Sequence, residues 1–166
     1  VSAYTDILHE LESLCGSING NFGDLDLMPV RYIHRTVARP RLPGLYRASR
    51  VALVTPLRDG MNLVAKEFVA ARDDEDGVLV LSTFTGASRE LVEALLVNPF
   101  DIGETADAMR VALEMSRDER RQRMRLMRQT VKENNVYRWA GRMLTDAGRG
   151  RLRTRIESRV RRHQRD

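Results

Sequence analysis

The sequence predicts an α/β protein, a parallel sheet followed by a run of C-terminal helices. Three observations predict it. Val51-Ala52-Leu53-Val54-Thr55 and Val78-Leu79-Val80-Leu81 are continuous apolar runs without polar alternation, the pattern of strands buried on both faces in a parallel sheet. Helical spacing lies between them, and strict alternation of strand and helix gives right-handed parallel layers. Beyond Pro99 everything reads helical.

In chain order, residues 2 to 15 place Tyr4, Ile7, Leu8, Leu11, Leu14 and Cys15 on one helical face, with the helix ending before Gly16. Residues 16 to 24, rich in Gly, Asn and Ser, read as a loop, and Met28 to Ile33 as a short strand. Pro40 to Ser49 is a short helix opened by its prolines. After the first buried strand come a loop over Pro56 to Met61, a helix over Asn62 to Arg72 and a strand over Gly77 to Ser82. A short helix over Thr85 to Leu91 and a third strand over Ala94 to Asn98 follow. Helices are expected at about 103–115, 116–134 and 135–147, the last ended by a break at Gly148 and Gly150. Asp73-Asp74-Glu75-Asp76 reads as a solvated turn, and the six arginines from Arg117 to Arg128 as a solvated helix face. Met109, Met115, Met124, Met127 and Met143 read as helix-core residues, Cys15 as a buried small hydrophobe, and His9 and His34 as surface or packing groups.

Composition excludes several classes. Among 166 residues no stretch approaches the roughly 18 uninterrupted apolar residues of a spanning helix, and no signal-peptide pattern opens the chain, so a cytoplasmic setting is expected. One cysteine leaves no internal disulfide framework and no Cys-cluster metal site. The chain enters helical pattern at Val1 without a methionine and is expected to be part of something longer. Its net charge of +5 is unevenly placed. Residues 149 to 166 carry eight arginines against Glu157 and Asp166, whereas residues 1 to 148 hold 20 basic groups against 21 acidic ones. A nucleic-acid argument would rest on that tail alone. Leu152, Ile156 and Val160 in it have the four-residue spacing of an amphipathic helix against a partner or membrane surface; a disordered or frayed C-terminus is the plainer reading.

Ligands of open parallel sheets bind outside the carboxyl ends of the strands, which directs attention to the loop after the first buried run. It reads Thr55-Pro56-Leu57-Arg58-Asp59-Gly60-Met61-Asn62-Leu63-Val64-Ala65-Lys66-Glu67. Asn62 is a good N-cap, so the helix starts there with free amides at Leu63 and Val64, and free amides at a helix N-terminus attract phosphate. Asp59 would repel phosphate and suits sugar hydroxyls; Glu67, a turn into the helix, can hold a ribose diol. The same residues also make ordinary turn chemistry, an Asp-Gly before an Asn cap with an early Glu complementing the helix dipole. No Gly-rich dinucleotide or Walker fingerprint is present.

The fifteen residues from Leu53 to Glu67 closely resemble the nucleotide-sugar signature of glycosyltransferase family 20, the trehalose-6-phosphate synthases. The resemblance extends to Ser17-Ile18-Asn19-Gly20, Phe22-Gly23, the run Val78 to Ala87 and Leu96-Val97-Asn98-Pro99-Phe100-Asp101. It covers residues 1–147, implying the C-terminal, Rossmann-like nucleotide-sugar-binding domain of a GT-B glycosyltransferase, incomplete at its N-terminal side, with 148–166 as a basic tail. It implies that Asp59 is the catalytic-site carboxylate on the transferred glucose, with Gly60, Met61 and Asn62 lining the same sugar through their backbone. Leu63 and Val64 would offer amides to the diphosphate, Glu67 would hold the ribose, and main chain near Val37 would hold the uracil.

The implied reaction moves glucose from UDP-glucose to glucose 6-phosphate with retention, without a protein nucleophile, cofactor or metal. The arginine and lysine that neutralise the diphosphate in the family, a further arginine before the opening helix, and the acceptor site of the N-terminal domain fall outside this sequence, so the isolated chain is expected to bind donor weakly and not to turn over. Thr85 and Ser88 stand where the family usually has alanines around Gly86, a change expected to leave the backbone intact. A noncatalytic regulatory relative, or a module binding nucleic acid or an acidic partner through the arginine tail, remains as the alternative. Neither membrane nor nucleic acid is the expected partner, and a homo-oligomer is left open.

Overall fold

The computed structural model describes the backbone of residues 2–163 and the side chains of residues 4–149. Within it the chain divides into two units, Val1–Ala38 and Arg39–Asp166.

The first unit is a helix, α1 (Ser2–Phe22), followed by an irregular segment. The helix runs through Gly16 and Gly20, where the space beside each Cα is empty, and ends instead at Gly23. There the backbone turns back so tightly that a side chain would stand 2.3 Å from the Asn19 carbonyl oxygen, which accepts the Gly23 amide at 2.9 Å. The strand expected at Met28 to Ile33 does not form. Asn19, in the last turn of α1, clasps Val30, donating to its carbonyl and accepting from its amide at 2.8 Å each, which leaves that residue nothing for a ladder partner. Cys15 is half-buried; His34 is exposed, stacked on Tyr32 and 3.5 Å from the Tyr4 hydroxyl.

The second unit opens with a short 3-10 turn, Arg39–Arg41, and α2 (Leu42–Ala48), its first turn carrying a proline. It continues with β1 (Val51–Val54), α3 (Leu63–Ala71), β2 (Val78–Ser82), a 3-10 helix at Gly86–Arg89, β3 (Leu95–Val97), α4 (Ile102–Glu114), α5 (Arg117–Glu133) and α6 (Val136–His163). The three strands form a parallel sheet in the order β1-β2-β3, with Val54 paired to Leu81 and Ser82 to Val97. This is the expected fold class. The expectation of burial on both faces holds for β2 alone. Leu79 and Leu81 point into a core with Phe68, Val69, Leu91, Met124 and Met127, while Val78 and Val80 point into a second with Val97, Ala112 and Met115. β1 has one neighbouring strand and is half-buried, its Leu53 exposed. Each large side chain removed from water in these cores contributes roughly 1.5–3 kcal/mol.

Polar contacts tie the elements down where the sequence reads as solvated surface. Arg72, buried, donates to the carbonyls of Tyr46, Arg47 and Ser49 at the end of α2 and pairs with Asp74 at 3.0 Å. The acidic turn is therefore a row of pairings: Asp73 with Arg47, Asp74 with Arg72, Glu75 with Arg125 and Asp76 with Arg120. On α5, Arg128 caps α3 by donating to the carbonyls of Val69 and Ala70, and Arg123 donates to that of Glu93. Met115, Met124 and Met127 are buried as expected; Met109 and Met143 are exposed. The break expected at Gly148 and Gly150 is absent from the backbone, which stays helical through both. The side chains of the tail beyond Arg149, Leu152, Ile156 and Val160 included, lie outside the described residues.

Candidate nucleotide-sugar site

β1 delivers the chain to the carboxyl end of the sheet, and the loop after it is stitched to the loop after β2. The Asp59 amide donates to the Phe84 carbonyl at 3.2 Å, the Gly86 amide to the Asp59 carbonyl at 3.1 Å, and the Ala87 amide to the Met61 carbonyl at 3.0 Å. The approach at Gly86 is so close that a Cβ there would sit 2.1 Å from the Gly60 carbonyl oxygen. Thr85 and Ser88 reinforce this corner. The Thr85 hydroxyl donates to the Ser82 carbonyl and accepts from the Ser88 amide, and the Ser88 hydroxyl donates to the Thr85 carbonyl at 2.7 Å.

Inside the loop, the Asp59 carboxylate is turned toward its own backbone. Its Oδ1 accepts the amides of Met61 and Asn62, and its Oδ2 accepts Asn62 Nδ2, all at 3.0 Å. These bonds, the Met61 amide foremost, hold its carboxyl below the usual carboxylate range against an opposing desolvation. About one of the four acceptor positions of a carboxylate is left over for a ligand. Asn62 is buried in a left-handed conformation, φ 67° and ψ 88°, and its Oδ1 caps α3 by accepting the Ala65 amide at 2.9 Å. The Leu63 and Val64 amides, the first two of the helix, have no acceptor among the described residues, and both residues are exposed.

One turn on, Glu67 is exposed and its Oε2 accepts the Tyr46 hydroxyl at 3.2 Å. Burial, then the bond to Glu67, raises the Tyr46 hydroxyl above its ordinary pKa, so the proton stays on it. The structure thus brings Asp59, Gly60, Met61, Asn62, Leu63, Val64 and Glu67 onto one loop and the first turns of one helix. Val37 belongs to the first unit, where it is half-buried. Tyr46 escapes the sequence reading because its partner is 21 residues away and neither position carries a motif.

The arrangement sets two amides with no acceptor among the described residues at a positive helix end, a carboxylate before it and another a turn later, chemistry that suits an anion beside hydroxyls. The family model of glycosyltransferase family 20 matches residues 1–149. The chain belongs to that family. Similar curated glycosyltransferase family 20 proteins include a trehalose-6-phosphate synthase of Sinorhizobium fredii, 51% identical over 147 residues, 88% of this chain and 32% of that protein. A bifunctional trehalose-6-phosphate synthase/phosphatase of Thermoproteus tenax is 48% identical over 139 residues, 84% of this chain and 19% of that one. Among solved structures, one from E. coli bound with UDP-2-fluoro glucose matches with a TM-score of 0.85 at 48% identity, covering 88% of this chain and 33% of that one. A UDP-forming α,α-trehalose-phosphate synthase from Burkholderia xenovorans in complex with glucose-6-phosphate matches at 0.83 and 51%, over 87% and 32%. The chain spans about a third of the length of most of these relatives.

Proposed function

We propose that this chain is the sugar-nucleotide-binding portion of a UDP-forming trehalose-6-phosphate synthase, acting in the cytoplasm on UDP-glucose and glucose 6-phosphate. The observation that carries the reading is the pair of unpartnered amides at Leu63 and Val64, set beyond a turn that Asp59 and Asn62 lock. In this reading the diphosphate of UDP-glucose lies on those two amides and on the positive end of α3. Glu67, oriented by Tyr46, takes the ribose hydroxyls, and the free acceptor position on Asp59 Oδ2 takes a glucose hydroxyl. Gly60, Met61 and Asn62 line the glucose through their backbone. Residues 1–147 form this portion and 148–166 a basic appendage.

The chemistry asked of these residues is electrostatic. As the glycosidic bond to the diphosphate breaks, negative charge grows on the leaving oxygens, and fixed amide dipoles stabilise it without reorganising. The leaving phosphate oxygen takes the acceptor hydroxyl proton on the same face, so configuration is retained and no side-chain nucleophile is needed. The test is a titration of the chain with UDP-glucose, read as backbone amide shifts. Saturable shifts at residues 60 to 67 are expected. Shifts absent there, or confined to the arginine tail, refute the reading.

A further inference from the structure

The turn that carries Asp59 is fastened by three main-chain hydrogen bonds, and each of them reaches residues 84–87. The Asp59 amide donates to the Phe84 carbonyl, the Gly86 amide to that of Asp59 and the Ala87 amide to that of Met61. Whatever holds 84–87 therefore sets where the turn sits. Apolar packing supplies little of that hold: Phe84 is exposed, Gly86 has no side chain, and the Ala87 methyl alone is buried in the core. The 3-10 helix at Gly86–Arg89 is a single turn, with the poorer hydrogen-bond geometry of its class. Thr85 supplies the missing anchor. Its backbone bridges to Asp59 and its side chain is buried. Its Oγ1 donates to the Ser82 carbonyl at 3.1 Å and accepts the Ser88 amide at 3.2 Å, joining the last residue of β2 to the 3-10 helix. Ser82 is itself fully buried and paired with Val97 in β3, and its Oγ accepts the Phe84 amide at 3.1 Å. From the far side, the Ser88 hydroxyl stands 2.7 Å from the Thr85 carbonyl oxygen and 3.3 Å from that of Thr83.

We propose that Thr85 is a positioning residue for the donor sugar, its hydroxyl tying the Asp59–Met61 turn to the fixed end of β2. The proposal rests on the reading of that turn as the part of the site that meets the transferred sugar. Glu67 and the Leu63 and Val64 amides belong to α3, which is anchored separately through Ala65, Phe68 and Val69 in the core. Thr85 therefore acts on the sugar end of the donor and leaves the nucleotide end as it is.

Thr85→Val removes the hydroxyl and keeps a β-branched side chain on an extended backbone that suits it, φ −101° and ψ 147°. Thr85→Ser keeps the hydroxyl and is the rescue. Ser88→Ala removes the brace on the other side and serves should the valine variant not fold. Two measurements are made on the full chain: amide hydrogen exchange without ligand, and titration with UDP-glucose and with UDP. The amides of Asp59, Gly86 and Ala87 are themselves the three tethers, so their exchange reads the turn directly. In T85V these three are expected to exchange about five-fold faster or more, with amides in the middle of α5 unchanged. UDP-glucose is expected to bind several-fold more weakly and UDP as in wild type; T85S restores both, and S88A shows the same pattern more weakly. Unchanged exchange at the three amides, a rise shared equally by α5, or equal losses for UDP and UDP-glucose overturns the proposal. Should wild type bind no UDP-glucose, the donor reading fails, while exchange in the unliganded chain still decides whether Thr85 sets the turn.

Discussion

Asn62 and Asp59 hold each other twice: the Asp59 carboxylate accepts both the backbone amide and the side-chain amide of Asn62, each at 3.0 Å. The second contact exists because Asn62 adopts a left-handed backbone, which turns its side chain to cap α3 with one atom and grip Asp59 with the other. Two substitutions separate conformation from bonding. Asn62→Gly removes the cap and the grip but tolerates the backbone; Asn62→Ala removes them and adds a left-handed cost of about 1–2 kcal/mol. Urea denaturation is expected to show both variants destabilised, with the alanine variant lower by about that difference. Equal stabilities would mean that the loop relaxes out of the left-handed form.

Gly86 fixes the height of the Asp59–Asn62 loop above the sheet. A methyl group there meets the Gly60 carbonyl oxygen at 2.1 Å, backbone against backbone, so the two loops must part. Gly86→Ala is expected to cost about 1–3 kcal/mol and to move the amide resonances of Asp59 through Asn62. Gly44→Ala, in α2 with open space around it, is the matched control and is expected to stabilise by about 0.5–1 kcal/mol. Paired melts with amide spectra of both variants decide the point.

In the proposed site, Tyr46 acts through Glu67. Its ring packs edge-on against Phe68 and its hydroxyl donates to the carboxylate, so Tyr46→Phe keeps the packing and frees Glu67 to rotate. Stability is expected to fall by less than about 1 kcal/mol. Affinity for UDP is expected to fall several-fold, while affinity for inorganic diphosphate, which has no ribose, stays as in wild type. Equal losses for both ligands would assign Tyr46 to the fold alone.

The sheet and the helix start after the β1 loop were legible because their signals are local. Val78 to Leu81 is apolar without interruption since β2 lies between two strands and under helices on both faces, and Asn62 announces a helix start by its residue type. The errors come from glycines that do not break a helix and from contacts between distant residues. Nothing near Gly16 says that α1 continues to Phe22, because the true stop is the tight return at Gly23 against Asn19. Nothing in Asp73 to Asp76 names its arginine partners, up to 50 residues away on α5. In the site itself, the roles of Asp59 and Asn62 toward each other depend on a backbone angle that residue types permit but do not announce.

The acidic turn makes the chain sensitive to acid in a definite direction. The Arg120 guanidinium, donating to Asp76 at 2.6 Å, holds that carboxyl below its ordinary range, and Arg125 does the same for Glu75. A carboxyl whose pKa is lower in the folded chain than in the unfolded one stabilises the fold above the unfolded value, about 4. That stability is lost as pH falls through the folded value, because the unfolded chain binds the proton first. The urea midpoint is therefore expected to be flat in respect of these groups from pH 8 to about 5 and to fall steeply below about 4. Asp76→Asn lowers the midpoint at neutral pH, since Arg120 is largely buried and loses its charge partner, and makes the acid limb shallower. An acid limb as steep in the variant as in wild type would place the sensitivity elsewhere, with Asp59, whose carboxyl is held low by the Met61 amide, next to be replaced.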